Sequence, residues 1–160
     1  MKVMPTLEGG LRIDVETATD WLVLEQIPGD ALEGGAEALS EQLGALMDDQ
    51  SDWEDVIVPE LQTFFSGQLQ SVRSAVRDAQ SRAEEQGTEP GGEVFIPRED
   101  APDWYGALNQ ARLSLENFYK FGPSELIENV NSFGAAKRSA FIRSQFYCAL
   151  QSVLLEYVLD

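Results

Sequence analysis

The chain has 160 residues, 43% of them apolar, so it is long enough for one domain that buries roughly 70% of its unfolded surface, and global disorder is excluded. Its 28 acidic and 11 basic residues give a net charge of −17, and there is no histidine. A chain this acidic repels phosphate backbones and anionic lipid surfaces, which argues against nucleic acid or a membrane as partner.

In chain order, Leu11 to Val15 alternates apolar and polar side chains after Gly9-Gly10 and reads as a short strand. Asp14 is then placed to cap a helix over residues 15–26, with Ala18, Trp21 and Leu22 at helical spacing and Pro28-Gly29 as its end. Asp30 is expected to begin a second helix, running to residue 47 with Ala36, Leu39, Leu43 and Leu46 on one face, weakened by Gly34, Gly35 and Gly44. An acidic turn over 48–52 and a single turn over 53–58 follow. Pro59 opens a long helix to residue 86, in which Leu61, Phe65, Leu69, Val72, Val76, Ala79 and Ala83 recur at steps of three and four, with Gly87 as its C-terminal stop.

Residues 87–93 are loop, and Glu93 to Pro97 forms a second strand. The next helix runs from 101 or 102 to 121, capped by Asp100, with Trp104, Leu108, Ala111, Leu115 and Phe118 inward and Gly122-Pro123 as its stop. Ser124 caps a short helix to residue 130. The last helix begins near Ala135. Over 138–159 its apolar residues fall in a wide arc around Ile142, Phe146, Leu150, Val153, Leu154 and Tyr157 and in a second stripe of Phe141, Cys148, Leu155 and Leu159. A helix apolar on two sides is packed on two sides. The expected fold is therefore mainly α: a single domain over 1–160, a compact bundle of five or six helices around a buried C-terminal helix, with a minimal two-stranded sheet.

A shift of 83 positions lays Ile13, Glu16, Ala18, Asp20 and Trp21 onto Ile96, Glu99, Ala101, Asp103 and Trp104. Each copy is a strand, a capping turn and a tryptophan-bearing helix. The two strands are expected side by side, since a lone strand leaves its backbone groups unpaired, and Pro97 belongs at the end of their ladder.

Chemistry is sparse. Without histidine the commonest general base and metal ligand is gone, and no CxxC, phosphate loop, GxSxG or calcium-loop spacing is present, so no catalytic residue, metal site or cofactor is assigned. One cysteine forms no internal disulfide and fits a reducing, cytoplasmic setting; Cys148 reads as a buried structural residue rather than a reactive thiol. The first ten residues do not read as a signal peptide, and no apolar run approaches the ~20 residues of a membrane span. Charge is uneven: residues 1–60 carry −13 and residues 101–160 only −1. Asn109 and Arg112 are polar on a helix otherwise built for burial. They read either as a surface network, with Arg112 reaching Glu116 at i+4, or as a contact with a protein partner.

Trp104-Tyr-Gly-Ala-Leu-Asn-Gln-Ala-Arg-Leu-Ser-Leu115, the strand before it, Val58-Pro-Glu60 and Tyr147-Cys-Ala-Leu-Gln-Ser-Val-Leu-Leu155 together carry a resemblance. The chain resembles, over essentially its whole length, an uncharacterised domain-of-unknown-function family of small acidic helical proteins best represented in actinobacteria; Cys148-Ala149 departs from the family's aromatic-containing pair. The resemblance implies no catalytic residues and a cytoplasmic regulatory or adaptor role. The expectation is a non-catalytic protein acting through protein–protein contacts, with a homodimer through the C-terminal helix and a partner for the acidic N-terminal third. The alternative is an enzyme or small-ligand-binding domain with a pocket between helices.

Overall fold

The computed structural model describes residues 1–33, 58–122 and 130–159. Strand β1 (Lys2–Pro5) pairs antiparallel with β2 (Leu11–Val15), which pairs antiparallel with β3 (Gly92–Ile96), giving a sheet in the order β1-β2-β3. Sequence alternation finds β2 and β3 but not β1, so the sheet has three strands instead of two. β1 is short and ends on Pro5, whose missing amide is harmless on an edge strand. The β2–β3 register sets Leu11 opposite Ile96 and Ile13 opposite Val94, and Pro97 falls just outside the ladder. All four of those side chains are fully buried, while Arg12 and Asp14 point away and bond each other at 2.8 Å. Gly10 follows the β1–β2 turn so closely against β3 that a Cβ there would lie 2.3 Å from the Ile96 carbonyl oxygen.

Helix α1 (Ala18–Glu33) begins with Thr17, not Asp14. The Thr17 hydroxyl accepts the Asp20 amide (3.2 Å), and the Asp20 carboxylate accepts the amides of Glu16 (2.9 Å) and Thr17 (3.2 Å), a capping box that the expected Asp14 start overlooks. The helix also runs through Pro28-Gly29 instead of stopping there, so Asp30 lies inside α1 and opens no second helix. An internal proline costs about 3 kcal/mol; burial of Ile27 and Ala31 and the bonds of Asp30 described below offset it. The buried face is Trp21, Leu24, Ile27 and Ala31, whereas Leu22 is exposed. The rest of the expected second helix, the acidic turn and the single turn over 53–57 lie outside the described residues.

Helix α2 (Val58–Gln86) keeps the expected face, with Leu69, Val72, Val76, Ala79 and Ala83 buried. It ends on Gly87 at φ +65°, where the Gly87 amide returns to the Glu84 carbonyl (3.2 Å) and the Thr88 amide to the Ala83 carbonyl (3.0 Å). The loop that follows ties back to α1: the Trp21 indole Nε1 donates to the Pro90 carbonyl at 2.8 Å.

Helix α3 (Ala101–Tyr119) is entered through a 3-10 turn, Arg98–Asp100, and Asp100 makes no side-chain capping bond. Pro102 does sit in the first turn, but the stop is Lys120 in the left-handed region rather than Gly122-Pro123. Helix α4 (Ala135–Tyr157) starts where expected; the expected short helix from Ser124 lies outside the described residues, and Val130–Ser132 form a 3-10 turn.

The centre of the molecule is α3, not the C-terminal helix. Ala101, Trp104, Ala107, Leu108, Ala111 and Leu115 are all fully buried, and α3 packs against α1, α2 and α4. Its small residues explain the position: at Gly106 a Cβ would come within 2.1 Å of the Gln68 amide on α2. The buried residues of α4 lie along one stripe, Ala140, Tyr147, Leu150, Gln151 and Leu154, while the second stripe is half-buried at Phe141, whose ring packs against Phe121 and Phe133, and at Leu159. Ile142, expected within its wide apolar arc, is 60% exposed, and Phe118 on α3 is exposed as well. The described residues thus hold four α-helices and one three-stranded sheet around a single core that contains both Trp21 and Trp104. No helix among them is long and apolar enough to cross a membrane.

Candidate functional site

The last turns of α1 bring Asp30 beneath α4, where Arg143 and Tyr147, four residues apart, share a face. Arg143 Nε donates to Asp30 Oδ2 at 2.8 Å and Nη2 to Oδ1 at 3.0 Å, the two-pronged geometry that a guanidinium offers a carboxylate. The Tyr147 hydroxyl donates to Oδ2 at 2.6 Å, and Gln26 Nε2 approaches Oδ1 at 3.5 Å. Asp30 is fully buried, so its charge is held by these bonds alone. The third nitrogen of Arg143 donates to the Ser139 hydroxyl at 2.8 Å.

The electrostatics follow the bonding. The bond to Asp30 holds the Arg143 guanidinium above its usual range. Burial, and then the Asp30 carboxylate, push the Tyr147 phenol well above its ordinary value. Both side chains keep their protons at any ordinary pH, and every oxygen of Asp30 is occupied. The cluster is a clamp between the N-terminal helix and the C-terminal one.

Above the clamp lies a groove of ≈ 480 Å³ between α1 and α4. Leu22 and Val23 form one wall, Ser139 and Ile142 the other, and Arg143 is part of its lining, with Arg138 beside it. Leu22 is 61% exposed and Ile142 60%. These are large apolar side chains left facing water across a groove that includes the Asp30-bonded Arg143 in its lining. Helical spacing marks both as core residues, and only the packing of neighbouring helices moves them outside.

Asn109 and Arg112 behave differently from each other. Asn109 is exposed; Arg112 is half-buried and Nη1 donates to Gln151 Oε1 on α4. Gln151 Nε2 in turn donates to the Tyr105 carbonyl at 3.3 Å, so the pair stitches α3 to α4. The expected Arg112–Glu116 contact is not formed: Glu116 Oε1 accepts the Gly122 amide at 3.0 Å and closes the end of α3. Cys148, one turn before Ser152, is half-buried rather than enclosed in the core.

A second cleft, of ≈ 310 Å³, separates α1 from α2. Leu24, Pro28 and Val76 form its floor, and Arg73 and Arg77 stand at its side. Gln80 Nε2 donates to the Glu25 carboxylate at its edge. Among the described residues no group of cysteine, aspartate and glutamate is arranged to hold a metal ion.

A family model described as a domain of unknown function, DUF2017, matches residues 47–158 of the chain. Neither the comparison with curated proteins nor that with solved structures found a match.

Proposed function

The chain belongs to the DUF2017 family of domains of unknown function, and from that premise we propose that it is a non-catalytic, regulatory or adaptor-like protein that acts in the cytoplasm through protein–protein contacts. The observation that carries this reading is the state of α4. Its apolar residues cover more than one side, and although Phe141 and Leu159 of the second stripe are half-buried, Ile142, Leu155 and Tyr157 are each about half exposed or more. Exposed apolar side chains gathered on one element mark contact surfaces.

Two faces of α4 are available. On one, Ile142 meets Leu22 of α1 across the groove over the clamp. On the other, Leu155 lies one turn beyond Gln151, the residue that Arg112 of α3 bonds, and α3 itself leaves Asn109 and Leu113 exposed. We assign the second face to a homodimer, with Asn109 and Arg112 as its polar contacts, and the groove to a different protein partner.

Sedimentation of the wild type at high micromolar concentration, beside Leu155→Asp and Ile142→Asp, tests this. The expected result is a dimer that Leu155→Asp breaks and Ile142→Asp leaves intact. A wild type found only as a 17.7 kDa species would overturn the dimer. Co-purification from the native cell with wild type and with Leu22→Asp/Ile142→Asp then tests the groove: its partner should be lost from the variant alone.

A further inference from the structure

We propose that the cleft between α1 and α2 binds a small oxyanion, a carboxylate or phosphate group on a low-molecular-mass ligand, held between the guanidinium groups of Arg73 and Arg77. The site is separate from the α4 surfaces and does not depend on them.

The argument begins with charge. The chain carries 28 carboxylates and 11 basic side chains, so an arginine has every opportunity to find an internal partner. Arg12 and Arg143 do so. Arg73 and Arg77 make no ion pair and no side-chain hydrogen bond to any of the described residues, although Arg73 is half-buried. They stand at i and i+4 on α2, where like charges repel. Among the described residues no ion pair compensates that repulsion; an anion bridging the two forks would.

The surroundings favour a small guest. Leu24 and Val76, at 0% and 2% exposure, give the cleft a dry floor, and Pro28 adds ring carbons and no amide donor. Against such a floor a guanidinium–oxyanion bond is worth more than in open water. The one carboxylate at the rim, Glu25, is turned to the Gln80 amide, so the two guanidinium groups outweigh it. A volume of ≈ 310 Å³ sits at the lower end of the ~300–1,000 Å³ typical of small-molecule sites, which suits a ligand of few heavy atoms better than a peptide. Arginine supplies flat, two-pronged donors that match both carboxylate and phosphate.

The test is calorimetric and NMR titration of the full chain with inorganic phosphate and, separately, with succinate, comparing wild type, Arg73→Gln, Arg77→Gln, the double variant and Arg98→Gln as a control away from the cleft. The expected result is saturable binding of at least one ion, weakened about tenfold by each single change, abolished in the double variant and unchanged in Arg98→Gln, with amide shifts centred on Leu24, Val76 and Gln80. Phosphate binding without succinate, or the reverse, identifies which oxyanion the cleft takes. The melting temperature of the double variant should stay at or above that of the wild type, because neither arginine is paired with any of the described residues. Absence of saturable binding of both ions, equal binding by the double variant, or a glutamate-rich peptide binding where neither ion does would each overturn the proposal. So would a double variant that melts earlier, since the arginines would then be structural.

Discussion

Asp30 and Arg143, 113 residues apart in the chain, meet through two hydrogen bonds of 2.8 and 3.0 Å, and the carboxylate they share with Tyr147 is fully out of reach of water. α1 and α4 are thereby joined by charge at a point where apolar packing between them is thin. Removing one member of a buried pair leaves the other without a partner, at a cost of about 3–5 kcal/mol. Asp30→Ala should therefore destabilise strongly in chemical denaturation. The triple change Asp30→Leu, Arg143→Met, Tyr147→Phe should recover most of that loss, because it removes charge and partners together. Equal destabilisation by the single and triple variants would contradict this account.

Tyr147 gives the clamp a pH signature. Its phenol is raised above the ordinary 10.0 by burial and by the Asp30 carboxylate, so the folded state holds this proton more tightly than the unfolded state does. The stabilisation is complete below about pH 10 and is lost as pH rises from there toward the higher folded value. The difference in tyrosinate absorbance between wild type and Tyr147→Phe should show no step near pH 10 while the protein is folded. It should appear together with unfolding.

At the other end of α1, Thr17→Ala removes an N-terminal cap and should cost about 1 kcal/mol. Asp20 answers to pH in the opposite sense from Tyr147. Burial alone would raise its carboxyl, but the amides of Glu16 and Thr17 and the Met1 ammonium at 3.3 Å together outweigh that and hold it below its usual 3.8. Its contribution is full above that value and fades as pH falls through the lower folded one. In acid titrations followed by circular dichroism, Asp20→Asn should be less stable at neutral pH and flatter below pH 4.

The β2–β3 pair predicts the effect of charge in the sheet. Ile13 and Ile96 are fully buried, each on one of the two strands. Aspartate at either position forfeits ~1.5–3 kcal/mol of burial and strands a carboxylate. Thermal melting should show a loss of at least ~3 kcal/mol, or failure to fold. An unchanged melting temperature for Ile96→Asp would refute the packing described here.

The features legible in the sequence were those that each stretch decides for itself. The period of α2 from Leu69 to Ala83, the alternation of β2 and the matching of Ile13 and Trp21 with Ile96 and Trp104 are local patterns, and all of them appear in the fold. Patterns that depend on neighbours were not legible. Ile142 and Leu150 are equally apolar, but α3 covers only one of them. Asp30, Gln68, Gln110 and Gln151 are buried polar residues that no periodicity distinguishes from solvated ones. Pro28 signals a helix end by its own chemistry, and tertiary packing of the residues after it overrides that signal. Of the candidate partner contacts, the exposed position of Asn109 was readable; the bond of Arg112 to Gln151, on a helix 39 positions away, was not.

The pairing of β3 with β2 has a practical consequence for anyone who shortens this protein. The segment matched by the family model begins at residue 47 and contains β3, α3 and α4, while β2 and Asp30 precede it. A fragment trimmed to residues 47–158 would present the Val94 and Ile96 strand as a bare edge and expose the Trp104 layer to water, a template for self-association into insoluble material. Soluble truncations should keep residues 11–33 attached, or supply that strand and helix in trans.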